Sequence, residues 1–208
     1  MTLLNATSAE IQKPALRELF VAVHAHNTKE VLVLLERGVD PNEKGQYGHT
    51  ALITAAARGY TDLVSLLIER GAALDVQNNF GYTALISAVQ EGSADVVQLL
   101  IENGAAPDKA KKSGGNTALM EAVVIGRTDI VRMLIDGLAD IDKKNEFGNT
   151  ALVLAEHGNH EEIIQMLKEA PAIQEKIIQD IAEANKNKAM HDKAVSKQKQ
   201  LPKIKLKF

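Results

Sequence analysis

Gly48-His49-Thr50-Ala51-Leu52 and Gly81-Tyr82-Thr83-Ala84-Leu85 carry one pattern, Gly-x-Thr-Ala-Leu, 33 residues apart. Gly115-Asn116-Thr117-Ala118-Leu119 and Gly148-Asn149-Thr150-Ala151-Leu152 continue it at intervals of 34 and 33 residues. Other offsets recur with it. Leu66-Leu67-Ile68-Glu69-Arg70-Gly71 returns as Leu99-Leu100-Ile101-Glu102-Asn103-Gly104, and Gly59-Tyr60-Thr61-Asp62 as Gly126-Arg127-Thr128-Asp129. A period of this length, with residue type held at several offsets, marks an array of supersecondary units.

The physics of one unit is direct. Thr50 is an N-cap type whose hydroxyl can take a free backbone N–H, so a helix starts there. Ala51 to Arg58 is too short to be stable alone, and Gly59 ends it with a left-handed residue. Thr61 or Asp62 then caps a second helix running through Arg70, with Leu63, Val64, Leu66, Leu67 and Ile68 as a broad apolar face. The polar, Gly-punctuated stretch from Ala72 to Tyr82 reads as a projecting hairpin loop. A lone unit cannot cover its own apolar face; stacked neighbours can.

Counting outward gives five units, at about 15–47, 48–80, 81–114, 115–147 and 148–171, after an N-terminal extension, 1–14. Pro171 stands where the last second helix should stop. Ile173, Ile177, Ile181 and Ala184, with Ile178 beside them, recur at helical spacing. They predict a separate capping helix, 172–185, over the open end of the array. Residues 186–208 are Lys-rich and read as a solvated, mobile tail. Two irregularities break the period. One extra residue falls in the loop Pro107 to Gly115, which also holds Lys109, Lys111 and Lys112. Leu138 occupies the position of the terminating Gly, with Gly137 one place early; a left-handed Leu is costly, so the expectation is a helix that ends one residue sooner.

These residues resemble the ankyrin repeat, whose signature is Gly-x-Thr-Pro-Leu-His at the first helix and Gly-Ala-Asp-x-Asn after the second. The resemblance covers roughly residues 15–171 and includes small stand-alone bacterial proteins of that family. Ala replaces the Pro in all four copies, and Ile53, Ile86, Met120 and Val153 replace the His. In the family that His ties neighbouring repeats by hydrogen bonds, so this array should lean more on apolar packing. The resemblance implies an all-α repeat solenoid with projecting β-hairpin loops. It also implies a non-catalytic protein-protein interaction module.

Composition narrows the chemistry. With no Cys, thiolate metal sites, disulfides and Cys nucleophiles are excluded. His24 with His26, and His157 with His160, are pairs rather than the three or four convergent ligands a metal needs. Every Gly is accounted for by a repeat boundary, which leaves no phosphate loop. Ser65, Ser87, Ser93 and Ser113 lack a paired His and Asp, and Glu69, Glu102 and Glu121 read as surface acids. No catalytic residue, metal or cofactor is expected. The start of the chain shows no signal-peptide pattern, and no run approaches the ~20 apolar residues of a membrane span. A cytoplasmic monomer is the expectation.

The net charge of −3 is uneven, because residues 172–208 hold nine Lys against four acids. That basic end is either a solubilising tail or a contact for an acidic partner, nucleic acid or anionic membrane. A C-terminal export signal, of the kind found in translocated bacterial effectors, is a further reading. Lys without Arg argues against specific phosphate or base reading.

A partner protein should meet the concave surface built by loop tips and first helices. Aromatic anchors dominate interface energetics, and the chain spends Tyr47, Phe80 and Phe147 on one tip position, with Tyr82 nearby. These rings can pack on the next tip, contact a partner, or do both. The ends of the first helices form the second row: Arg58, then Gln90 and Glu91, then Val124 and Ile125. The last pair, greasy and expected to face the groove, gives a candidate centre flanked by His49, Arg58 and Glu91. Asn116 completes the candidate set.

Overall fold

The computed structural model describes the backbone of residues 8–199 and the side chains of 14–186 and 188. The described residues form ten α-helices in two layers. The first helices are α1 (Ser8–His24), α3 (Ala51–Ala56), α5 (Ala84–Glu91), α7 (Ala118–Val124) and α9 (Ala151–His157). The second helices are α2 (Thr28–Glu36), α4 (Thr61–Glu69), α6 (Ala94–Glu102), α8 (Thr128–Asp136) and α10 (Glu161–Lys199). Each helix touches the next one in its own layer and its partner in the other.

The sequence dictates the contrast between the layers. First helices are sandwiched, so α5 buries every residue from Ala84 to Val89, and Ala at Ala51, Ala84, Ala118 and Ala151 allows that close approach. Leu52, Leu85 and Leu119, each 1% exposed, contribute roughly 1.5–3 kcal/mol apiece by leaving water. Second helices bury one stripe, as Leu63, Val64 and Leu67 do on α4.

The predicted first-helix caps are present: the hydroxyls of Thr50, Thr83, Thr117 and Thr150 each accept the N–H three residues on. The predicted cap of α4 is not. Its N-cap position is Tyr60, without a side-chain bond, and Asp62 instead accepts from Thr28 Oγ1 at 2.8 Å and meets His26 Nε2 at 2.6 Å. A second set of clasps joins successive loops: Asn42, Asp75 and Asp108 accept the backbone N–H of Ala73, Ala106 and Asp140 at 2.7–2.8 Å. The loops themselves contain no β-strand among the described residues; each closes with a backbone bond such as Asn78 N–H to Tyr82 O, 3.0 Å.

Four expectations need correction. Leu138 is left-handed after all, at φ 59°. Leu138 N–H to Ile135 O and Ala139 N–H to Leu134 O repeat the bonds that Gly71 and Ala72 make to Ile68 and Leu67. Keeping Ala139 fully buried outweighs the roughly 1–2 kcal/mol of left-handed strain. Gly137 is Gly for another reason, since a Cβ there would lie 2.8 Å from Ile101 Cγ2. Next, α1 begins at Ser8 and carries Pro14 inside it, so helix reaches into the expected extension.

The chain also does not break at Pro171. The last second helix and the expected capping helix are one 39-residue element, α10, about 58 Å long. Pro171 sits on its exposed side, while Ala170 is buried. Gln174 Nε2 donates to Ala139 O at 2.8 Å and to Ile135 O at 3.2 Å, tying α10 to the end of α8. Lastly, the capping is shorter than Ile181 and Ala184 suggested. Ile173 packs on the core, but Ile178 and Ile181 are exposed and the helix continues past them. Residues 200–208 of the Lys-rich tail lie outside the described residues.

Candidate binding groove

Loop tips and first-helix ends are held by one recurring column of residues, Gly45, Asn78, Lys111 and Asn145, whose N–H groups close the four tips. Asn78 Oδ1 accepts the N–H groups of Phe80 and Tyr82, and Asn145 Oδ1 those of Phe147 and Asn149, at 2.9–3.0 Å. A neutral amide bracket thus fixes the second and fourth tips. Successive tips bond to one another through Asn79 N–H to Tyr47 O, Lys112 N–H to Phe80 O and Glu146 N–H to Gly114 O, at 3.0–3.1 Å.

Two clefts open along the N-terminal half of the groove. A cleft of about 860 Å³ lies between α1, α3 and the first tip, and a second of about 330 Å³ lies between α3, α5 and the second tip. His49, Ala57 and Glu91 line both clefts. Seven of the eleven expected partner residues gather here: Tyr47 and Arg58 in the larger cleft, Phe80, Tyr82 and Gln90 in the smaller, and His49 and Glu91 in both. The Tyr47 and Phe80 rings meet at 6.1 Å and a 40° tilt, yet both stay more than half exposed, so neighbour packing leaves most of each ring available. Phe147 is 77% exposed, and Gly114 holds the tip position that links it to Phe80.

Val124 and Ile125 occupy the same register as Ala57 and Arg58 and are exposed. They lie outside both of these clefts. The sequence reading missed Arg17, Phe20, His24 and Gln46, which line the larger cleft. The signal was available: His24 stands 33 residues before Ala57, in the first-helix row.

Glu121 is not a surface acid. Its side chain is 8% exposed and meets Lys111 Nζ, itself 16% exposed, at 2.8 Å. Gln90 Nε2 and Asn116 Nδ2 donate to the same carboxylate at 2.8 and 2.9 Å. Burial pushes the Glu121 carboxyl up, but these three donors outweigh it and hold it below the ordinary range. Burial likewise lowers Lys111, and Glu121 and Tyr82 together more than offset that, leaving it raised. Asn116 Oδ1 accepts from Asn145 Nδ2. Both polar groups of Asn116, expected to serve a partner, are thus committed inside the protein, whereas Gln90 gives up only its Nε2 and stays exposed on the smaller cleft. Glu121 replaces the hydroxyl of Thr54 and Ser87, and Lys111 replaces the amide of Asn78 and Asn145, so two departures from the repeat meet and compensate.

Family-model comparison finds ankyrin repeats (3 copies), matching residues 19–113, 67–145 and 107–180. The chain belongs to the ankyrin repeat family. Ankyrin repeats are generally protein-protein interaction modules, and the family is typically non-catalytic. No curated protein matches the chain. Among the described residues, no group of three or more His, Cys, Asp or Glu could hold a metal ion, and no helix is long and apolar enough to cross a membrane.

His49 carries the clearest electrostatic mark in this ankyrin groove. Because both backbone donors occupy Asn78 Oδ1, the amide Nδ2 faces His49 Nε2, at 3.1 Å. That bond requires a neutral ring with its proton on Nδ1. Burial, and then the neighbouring His24, lower its pKa in the same direction.

Proposed function

We propose that the chain binds a partner protein in its concave groove, with the paired rings of Tyr47 and Phe80 as anchors and the two adjoining clefts as their frame. The supporting observation is that the two clefts share His49, Ala57 and Glu91 and so form one depression. Large rings left exposed beside a concave, part-apolar surface are the usual anchors of an interface. Val124 and Ile125 extend the apolar strip toward the C-terminal units, and Phe147 marks its far edge.

Affinity capture with the full chain tests this. Proteins retained by the wild type should be lost with Tyr47→Ala/Phe80→Ala and weakened with Val124→Asp/Ile125→Asp. They should be kept with Gln98→Ala, an exposed change on α6. Equal capture by the groove variants and the wild type would refute the reading. Lys203→Gln/Lys205→Gln/Lys207→Gln separates groove binding from a contact made by the basic tail.

A further inference from the structure

The larger cleft differs from the rest of the array in charge. Arg17 comes to it from α1 and Arg58 from the turn after α3, the rings of His24 and the neutral His49 line it as polar groups, and Glu91 is the one carboxylate among its lining residues. Neither arginine takes part in an ion pair among the described residues. The setting is otherwise acidic: the chain carries −3 overall although residues 172–208 hold nine Lys against four acids, so the repeats themselves are strongly negative. A basic depression on a negative scaffold attracts anions at one place and repels them elsewhere.

The cleft is also shaped by a departure from the repeat. Gly45 stands in the column that holds Asn78, Lys111 and Asn145, and a Cβ there would lie 2.6 Å from Phe20 Cε2. The missing side chain lets the Phe20 ring lie against the tip as an apolar wall. His24 Nδ1 lies 2.7 Å from Phe20 O; with the proton on that nitrogen, Nε2 is left for the cleft. His49, with Nε2 taken by Asn78, is left with its Nδ1–H. The two guanidinium forks are suited to carboxylates.

The geometry points to an acidic peptide segment of the partner protein as the occupant of this cleft. Its Asp or Glu side chains lie along Arg17, His49 and Arg58, and an apolar side chain rests between Phe20 and Tyr47. The inference rests on the groove reading above and names the chemistry of what the groove takes.

The test selects a displayed library of random peptides against the full chain, then measures synthetic, labelled versions of the enriched peptides by fluorescence anisotropy. Enriched sequences should be rich in Asp and Glu beside an aliphatic or aromatic residue. Arg58→Glu and Arg17→Glu, both exposed changes checked for intact folding by circular dichroism, should each weaken binding at least about tenfold. Peptides with Lys in place of one acid should regain part of the loss on Arg58→Glu. Enrichment of uncharged peptides, lost with Tyr47→Ala/Phe80→Ala but indifferent to both arginine variants, would overturn the acidic partner while leaving the groove reading intact. Enriched peptides indifferent to all four substitutions would overturn both.

Discussion

Replacing Glu121 with Ser, the residue its column holds at Ser87, removes a carboxylate that three donors share at 2.8–2.9 Å. Lys111 is left as a cation only 16% exposed, beside two amides without an acceptor. Breaking a buried pair from one side costs about 3–5 kcal/mol. Lys111 sits on a tip and can swing part-way to water, so the expected loss falls at or below the bottom of that range, about 2–3 kcal/mol. Lys111→Asn, which installs the column residue of Asn78, should cost a similar amount by stranding the carboxylate. Together the two changes recreate the neutral chemistry of the preceding unit, so the double variant should be more stable than the single losses added, by about 1–3 kcal/mol. Urea unfolding of all four proteins gives the cycle. The pH dependence follows from the shifts. Glu121 is depressed, so its share of stability is complete above its ordinary value of 4.5 and lost as pH falls through the lower folded value. Lys111 is raised, so its share is complete below its ordinary value of 10.5 and lost as pH rises through the higher folded value. The advantage of the wild type over the single variants should be flat between those limits and fade outside them. Additive losses, or single costs under about 0.5 kcal/mol, would refute the reasoning.

Leu138→Gly should stabilise the protein by about 1 kcal/mol, because a Cβ at φ 59° is strained and the residue is already 37% exposed; an unchanged or lower midpoint in thermal unfolding would contradict this. His26→Gly relieves the same strain at φ 53° but removes the contact with Asp62 and a ring stacked at 3.9 Å on Tyr60, so its gain should be smaller or reversed in the same assay. Gly81→Ala places a Cβ 2.4 Å from Lys112 N, against the bond from Lys112 N–H to Phe80 O. It should cost at least about 2 kcal/mol, with amide exchange rising first at Lys112.

The stacking was legible because it depends on local chemistry repeated: a Thr hydroxyl over each first helix, an Ala where helices touch, a Gly where the chain turns left-handed. Its exceptions were not, because each is decided by a neighbour far away in sequence. Leu138 takes a strained conformation because burial of Ala139 requires that chain path. Pro171 rides within a helix because Gln174, three residues on, ties that helix to Ala139. Glu121 looked like a surface acid because its cation, Lys111, belongs to the preceding unit; the clue was that Lys111 also departs from its column. The groove was legible as a surface, through its exposed rings. The larger cleft was not, since one wall of it depends on the Phe20 ring lying against Gly45.

The added residue of the third unit sits at the apex of its loop. It falls between Lys112, still bonded to Phe80 O, and Gly114, still bonded to Glu146 N. The two seams on either side close as they do elsewhere, and α7 and α8 keep the register of their neighbours. Ser113 at that apex is exposed, and the residues on both sides of it are bonded to the neighbouring tips. The apex can lengthen, as it already has by one residue, without disturbing the helical layers, which makes Ser113 the natural port for grafting foreign sequence onto this framework.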